Sequence, residues 1–300
     1  MNNLKQRTAA VCLAIGLIPL LLTVFLSGKG AVKLKKQEDM EAYIPILMCR
    51  ETPWDYEKEM LKAQAVLIRS SLYLYLGNGQ AAETGIQEAV NLHRQQWSSE
   101  AYQQAYSRMK QAAASTQGQI IFYKGQTCQG VFHRVSAGTT RSGEEVLPDL
   151  SANFLKSVES HQDTGAEEYL HGHYFTEEEL RERLKKYYPS SGLSEESLEF
   201  QLEPEQRDTQ GYILTVRVGN QEVSGEEFRV NLGLSSSNFV IQHMDGEIRF
   251  LCKGLGHGLG LSQYGANEMA KKGKNYQQIL LTYFPDVTLR SIDFSNLAIL

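Results

Sequence analysis

Hydrophobic positions are densest at the amino end, where "AAVCLAIGLIPLLLTVFLSG", residues 9–28, runs without a charged side chain. That is close to the ~20 residues a helix needs to cross a bilayer. Lys5 and Arg7 precede the run, so the positive-inside rule would hold residues 1–8 in the cytoplasm and send the rest of the chain outward. We read residues 9–28 as a retained transmembrane anchor. The competing reading is a cleaved signal peptide, but the run is longer than a usual signal core and "LSGKGA" is a weak cleavage site. The polar stretch 29–38 reads as a linker.

From Glu41 the apolar positions take a helical period in two pieces, "EAYIPILMCRE" and "YEKEMLKAQAVLIRSSLYLYL", with Pro53 of "TPWD" as the breaker and Glu51 at the break. In the second piece Lys62, Val66, Arg69 and Tyr73 share one stripe, and Leu61, Ala65 and Leu72 lie on the adjoining apolar side. A third helix, "SSEAYQQAYSRMKQAAASTQG", has a Ser and Glu start and a Gly118 stop. "QIIFYKGQTCQGVFHRV" predicts a hairpin around Lys124 and Gly125, and "SAGTTRSGEE" a loop. "TEEELRERLKKYY" predicts a surface helix with a capping box from Thr176 to Glu179.

Strand patterns follow at "LEFQL", "YILTVRVG", "SNFVIQH" and "EIRFLCKG", the last two joined at Asp245 and Gly246, a strong hairpin signal. "SGEEFRVNLGL" between them predicts a short helix capped by Ser224 and Glu227, and "SQYGANEMAKKG" and "YQQILLTYF" close the chain as helices. Runs of helices and of hairpin strands, without βαβ alternation, indicate an α+β fold of helices packed on antiparallel sheet, placed outside the cytoplasm behind the transmembrane helix. The 300-residue length suits one such domain, 39–300, behind its anchor.

Composition removes some functions. The net charge is −5 and the basic residues are scattered, so no basic field exists to hold a nucleic acid. Cys12 lies in the apolar run, and Cys49, Cys128 and Cys252 are an odd number with no C-x-x-C pair. No disulfide framework follows, and one bridge or none remains open.

In "LCKGLGHGLGLSQYG", residues 251–265, glycines alternate around His257. Gly254, Gly256, Gly258 and Gly260 do not satisfy G-x-G-x-x-G, and no βαβ unit surrounds them, so a dinucleotide loop is excluded. Such a stretch permits close backbone approach and presents an imidazole and several N–H groups at a helix start. The alternative is a tight strand-to-helix corner with a structural histidine.

"EAYIPILMCRETPWDYEKEMLKAQAVLIRS", "FHRVSAGTTRSGEEV", "VSGEEFRVNLGL" and "GLGHGLGLSQYGANEMAKKGKNYQQILLTYFP" resemble, in order, the signature blocks of the stage II sporulation protein D family. The resemblance spans most of residues 39–290. It implies a membrane-anchored lytic transglycosylase of the cell wall that acts during engulfment, at the sporulation septum, on peptidoglycan glycan strands. It also implies a cell-wall amidase and other engulfment membrane proteins as partners. Related amidase enhancers share the domain.

By this resemblance Glu51 is the catalytic acid-base residue. A glutamic acid kept protonated can donate to the glycosidic oxygen as the bond breaks. Met48, Cys49, Pro53 and Trp54 offer apolar surroundings that would raise its pKa, whereas Lys62 and Arg69 would lower it if near. An ordinary glycosidase needs a second carboxylate. A lytic transglycosylase does not, because the muramyl C6 hydroxyl attacks the anomeric carbon and a 1,6-anhydro product leaves. Asp55, Glu57 and Glu59 read instead as acidic residues at a helix start.

The resemblance also makes Lys62 and Arg69 functional positions. Their spacing puts them on one helix face, for sugar or carboxylate binding, with a surface ion pair as the alternative. Ser136, Gly138 and Thr140 occupy the family's small-residue loop, and His257, Ser262, Gln263 and Tyr264 are expected to line the glycan groove, the glycines making room for sugar. Some relatives bind zinc through a Cys and His motif, but here only His93 is present in that region, so no metal site and no cofactor is expected. Two further functions compete: a glycan-binding enhancer of a partner amidase that does not cut, and a thiol hydrolase using Cys49 and His257, which lacks a nucleophile signature.

Overall fold

The computed structural model of the protein describes residues 38–77, 83–147, 152–244 and 246–292. The expected cytoplasmic stub, the anchor, the linker up to residue 37 and Asp245 lie outside the described residues. Among the described residues no helix is long and apolar enough to cross a membrane. The stretch expected to be one domain divides into two compact units: residues through Val131 with those from Ala266 onward, and Phe132–Gly265.

The first unit begins with α1 (Glu38–Glu51) and α2 (Lys58–Gly77), the two expected helical pieces. Pro53 disfavours a helical residue at position 52, so α1 stops with Glu51 as its last residue. Next come α3 (Glu83–Gln96), which the periodicity did not reveal, and α4 (Glu100–Ser115), whose Ser99 hydroxyl accepts from the Tyr102 amide. Strand β1 (Gln119–Tyr123) turns at Lys124 and Gly125 into β2 (Gln126–Thr127) as expected. Behind the boundary at Ala266 the unit takes most of α5 (Gln263–Lys271), then α6 (Tyr276–Tyr283), whose start is an Asn275–Gln278 capping box. Unanticipated β3 (Thr288–Ser291) pairs antiparallel with β1, so the two chain segments of this unit meet in one small sheet. Ile44, Met48, Met60, Val66, Leu67, Met109, Ile120, Ile279 and Phe284 form the buried interior.

The second unit contains two antiparallel sheets. One is formed by β4 (Leu170–Thr176), β5 (Phe239–Met244) and β6 (Glu247–Lys253), with β6 central; the expected hairpin is β5–β6. The other runs β7 (Leu202–Arg207), β8 (Ile213–Val218), β9 (Gln221–Ser224). "LEFQL" departs from expectation: Leu198–Phe200 is a 3₁₀ turn, and the strand starts at Leu202 and passes through Pro204. Edge position tolerates a residue without an N–H, and the register shifts just after Pro204. Helices α7 (Glu177–Tyr187) and α8 (Gly225–Leu232) start at Thr176 and Ser224, whose hydroxyls accept the expected amides of Glu179 and Glu227. Phe228, Phe239 and Phe250 pack ring against ring in the core between these elements.

A second departure concerns "VFHRV". Phe132–His133 leaves the hairpin and pairs in parallel with Leu261–Ser262. The antiparallel expectation therefore fails locally, because two glycine-containing segments run side by side in the same direction. The loop-like "SAGTTRSGEE" includes a single helical turn, Gly143–Val146.

Candidate active site

In the first unit, the end of α1 and the turn behind it are tied down by named bonds. The Trp54 indole N–H donates to the Cys49 carbonyl at 2.9 Å, and Arg108 from α4 donates to the carbonyls of Trp54 and Tyr56. The Glu57 amide donates to the Asn267 side chain at 2.7 Å. Glu51 therefore sits on a braced corner, its side chain 25% exposed, with the Arg50 guanidinium 3.2 Å away. Arg50 in turn reaches Glu88 at 3.5 Å and the Gly85 carbonyl on α3.

Burial raises the Glu51 carboxyl above its ordinary pKa, while the charge of Arg50 works against that rise. Its place at a helix C-terminus, the negative end of the dipole, pushes in the same direction as burial. The combination makes the carboxyl easier to protonate than an ordinary glutamate, and its side chain still reaches solvent. Such a group can donate a proton to a bound ligand and take one back.

Lys62 and Arg69 do not supply the charge paired with Glu51. Lys62 pairs with Glu59 at 2.5 Å and lies 5.7 Å from the Tyr276 ring centroid. Burial acts to raise the pKa of Glu59, but the Lys62 hydrogen bond, the Tyr276 amide and the nearby lysine charges outweigh it and leave it lowered. Arg69 is 0% exposed. Its five N–H groups meet both Glu41 carboxylate oxygens, the Thr116 hydroxyl and the carbonyls of Ala113 and Gln119. Arg69, expected at a groove, joins α1 and α4 to α2 and β1, and its carboxylate partner is internal. The ion pair weighed as the alternative is present at Arg69, with the guanidinium buried and Glu41 partly exposed.

In the second unit, Ser136, Gly138, Thr140, Ser262 and Gln263 are buried and do not present donors to a groove. Asp163, fully buried, accepts from the Ser136 amide and hydroxyl and from the Ser262 hydroxyl. The Gly138 amide donates to the Ser136 hydroxyl, and Thr140 exchanges bonds with the backbone of Lys156 and Val158. Gly138 takes φ +103°, a backbone conformation that favours glycine. Asp163 was missed from sequence, since a lone aspartate in a 3₁₀ turn, His161–Gly165, carries no local sign of its partners.

His257 is likewise occupied. Its Nδ1 accepts from the Leu259 amide, and its ring also bonds the Phe132 backbone. Burial and the charges of Arg229 and Arg141 depress its pKa to about 3, so the ring is neutral. His133, 5.8 Å away between ring centroids, is depressed to about 3 by burial and by His257; its Nδ1 bonds the Leu259 carbonyl, and its Nε2 is buried without a partner.

The glycines around His257 make room for protein and not for sugar. Gly256 has φ +108°, and a Cβ there would lie 2.9 Å from His133; Gly258 has φ +78°, and a Cβ there would strike the Tyr212 ring at 2.6 Å. The structural-corner alternative accounts for both positions. Tyr264 is half-buried, with its amide donating to the Arg134 carbonyl.

Cys49, Cys128 and Cys252 are buried free thiols. Burial pushes Cys49 up to about 11, its hydrogen bond with Tyr102 opposing, so the thiol is protonated at neutral pH. That removes the basis for a thiol hydrolase. His93 has its Nδ1 against the Tyr102 hydroxyl at 2.9 Å, and among the described residues no group of three or more His, Cys, Asp and Glu side chains is arranged to hold a metal ion.

Residues 28–123, which contain Glu51 and its braced corner, match the family model SpoIID, Stage II sporulation protein. Over 268 residues the chain is 28% identical to Stage II sporulation protein D of Bacillus subtilis, covering 85% of this chain and 75% of that protein. The same protein of Bacillus amyloliquefaciens is 27% identical over 266 residues, with the same shares covered. The chain is similar to the stage II sporulation protein D family in this amino-terminal match and in these two relatives. A short segment also matches the amidase enhancer of Bacillus subtilis, 54% identical over 39 residues, 13% of this chain and 6% of that protein. The first unit thus holds both the SpoIID family-model match and the carboxyl whose pKa burial raises.

Proposed function

We propose that this chain is a membrane-anchored peptidoglycan lytic transglycosylase in which Glu51 protonates the leaving glycosidic oxygen and then accepts the proton of the muramyl C6 hydroxyl. The C6 oxygen forms its bond to C1 as the bond from C1 to the bridging oxygen breaks, and the 1,6-anhydro end is released without net consumption of water. One carboxyl serves both halves of this cycle, since the proton it gives up is returned. The observation that carries the reading is the Glu51 carboxyl, raised in pKa by burial yet still reaching solvent at the end of α1. Similarity to stage II sporulation protein D supports septal wall as the setting, and residues 9–28 support a single membrane span with the enzyme outside the cytoplasm. Glycan stripped of peptide stems is the proposed substrate, with an amidase as the partner that strips it.

The short match to an amidase enhancer favours a second reading, a glycan-binding protein that stimulates an amidase without cutting. Glu51→Gln decides between the two. It keeps shape and polarity but removes the transferable proton, so anhydro-muramyl products, followed by mass spectrometry on stem-free glycan, are expected to vanish while thermal unfolding is unchanged. Product release by a folded Glu51→Gln variant would remove Glu51 as the acid-base residue, and absence of product from the parent chain would transfer the case to the enhancer reading.

A further inference from the structure

Both tryptophans of the chain, Trp54 and Trp97, belong to one aromatic cluster in the first unit. His93 on α3 lies 4.9 Å from Trp97 and 4.9 Å from Tyr106 between ring centroids, and Trp97 meets Tyr106 edge-on at 5.5 Å. The cluster is anchored from below by Tyr102, which is buried, meets Trp54 edge-on at 5.6 Å and bonds both His93 Nδ1 and the Cys49 thiol. Trp97 is 46% exposed, Trp54, His93 and Tyr106 are half-buried, and the Trp97 carbonyl is held by the Gln103 side chain at 2.7 Å.

Rings fixed by this many neighbours lose little freedom when a ligand settles on them, which is what makes tryptophan and tyrosine effective at binding surfaces. A packed protein interior is mostly aliphatic, whereas here indole, imidazole and phenol groups carry polar edges on rings that stay partly exposed. A pyranose ring has the complementary form, with one face of C–H groups and a rim of hydroxyls and an acetamido group.

We propose that Trp97, with Tyr106, His93 and Trp54, forms a stacking subsite for an N-acetylhexosamine ring of a glycan strand. The subsite shares its supports with Glu51: Trp54 bonds the carbonyl of Cys49, two residues before Glu51, and Arg50 joins Glu51 to Glu88 on the helix that carries His93. This inference rests on the glycan-cleaving reading for its ligand, but stacking requires no cleavage, so the two can fail separately.

The test uses the full chain, with soluble N,N′,N″,N‴-tetraacetylchitotetraose as probe, and thermal unfolding to establish that each variant is folded. Because no tryptophan lies outside the cluster, tryptophan emission reports this subsite alone. The expected result is a saturable change in emission on adding the tetrasaccharide. By calorimetry, Trp97→Ala weakens binding about tenfold while Trp97→Phe stays within about threefold, because stacking requires a ring and not an indole N–H. Unchanged emission, or Trp97→Ala binding as tightly as the parent chain, would overturn the subsite, as would capture of an unrelated protein with no affinity for the tetrasaccharide. Loss of binding in Trp97→Ala together with continued cleavage by Glu51→Gln would retain the subsite and remove the catalytic assignment. Loss of cleavage in Glu51→Gln with unchanged tetrasaccharide binding by Trp97→Ala would do the reverse.

Discussion

Asp163 Oδ2 accepts both the amide of Ser136, at 2.8 Å, and its hydroxyl, at 2.5 Å, while Oδ1 accepts the Ser262 hydroxyl at 2.9 Å. One fully buried carboxyl therefore joins two signature segments that lie 126 residues apart in the chain, at Ser136 and Ser262. Burial raises its pKa and the donated hydrogen bonds oppose that rise.

Asp163→Ala strands the buried donors of Ser136 and Ser262, and each unsatisfied group costs ~1–3 kcal/mol. We expect a loss of about 3 kcal/mol or more, read as a lower denaturation midpoint in urea. Asp163→Asn, which keeps an acceptor oxygen, is expected to recover part of it. An unchanged midpoint in Asp163→Ala would show that the two segments are held elsewhere.

With its guanidinium buried and bonded internally, Arg69 is expected to act on stability and not as a contact for glycan. Arg69→Lys cannot satisfy the forked geometry of Glu41, Thr116, Ala113 and Gln119, and disruption of a buried pair costs ~3–5 kcal/mol. Equilibrium unfolding should show a large drop, whereas chitotetraose affinity of the folded protein should stay at the parent value. A weakened affinity with normal stability would return Arg69 to the binding surface.

Arg50 tunes Glu51. Its positive charge lowers a pKa that burial raises, so Arg50→Gln lifts the pKa of Glu51 further. A general acid works only while protonated, so the alkaline limb of the pH–rate profile moves to higher pH in the variant. Stability follows the same carboxyl: with the folded pKa above the unfolded one, the unfolded chain ionises first, and this group's contribution is lost as pH rises from the unfolded through the folded value. A limb that stays in place would separate Arg50 from the titration of Glu51.

His133 and His257 remain neutral through the physiological range, since burial depresses both to about 3. Their ring resonances in an NMR titration should be flat between about pH 5 and pH 8, while ordinary histidines move near ~6.5. As pH falls below that value the unfolded chain binds protons that the folded chain does not, so these rings destabilise the fold on acidification. A midpoint near 6.5 for either ring would mean that burial and the neighbouring charges do not hold it neutral.

The sequence by itself determined the helices α1, α2 and α4, the β5–β6 hairpin and the caps at Thr176 and Ser224, because period, turn residues and capping hydroxyls act between neighbours in the chain. It also placed Glu51 at a helix end, since Pro53 acts on the residue before it. Helix α3 was not legible because its apolar positions are few, and the parallel pair at Phe132–His133 and Leu261–Ser262 has no local signal. What only the tertiary structure decided is which signature residues reach solvent. Arg69, Ser136, Thr140 and Ser262 have the chemistry of ligand contacts, but Glu41, Asp163 and the backbone around Val158 take their bonds first. A polar side chain's pattern in sequence states what it can bind; burial decides whether that partner is a ligand or another part of the same chain.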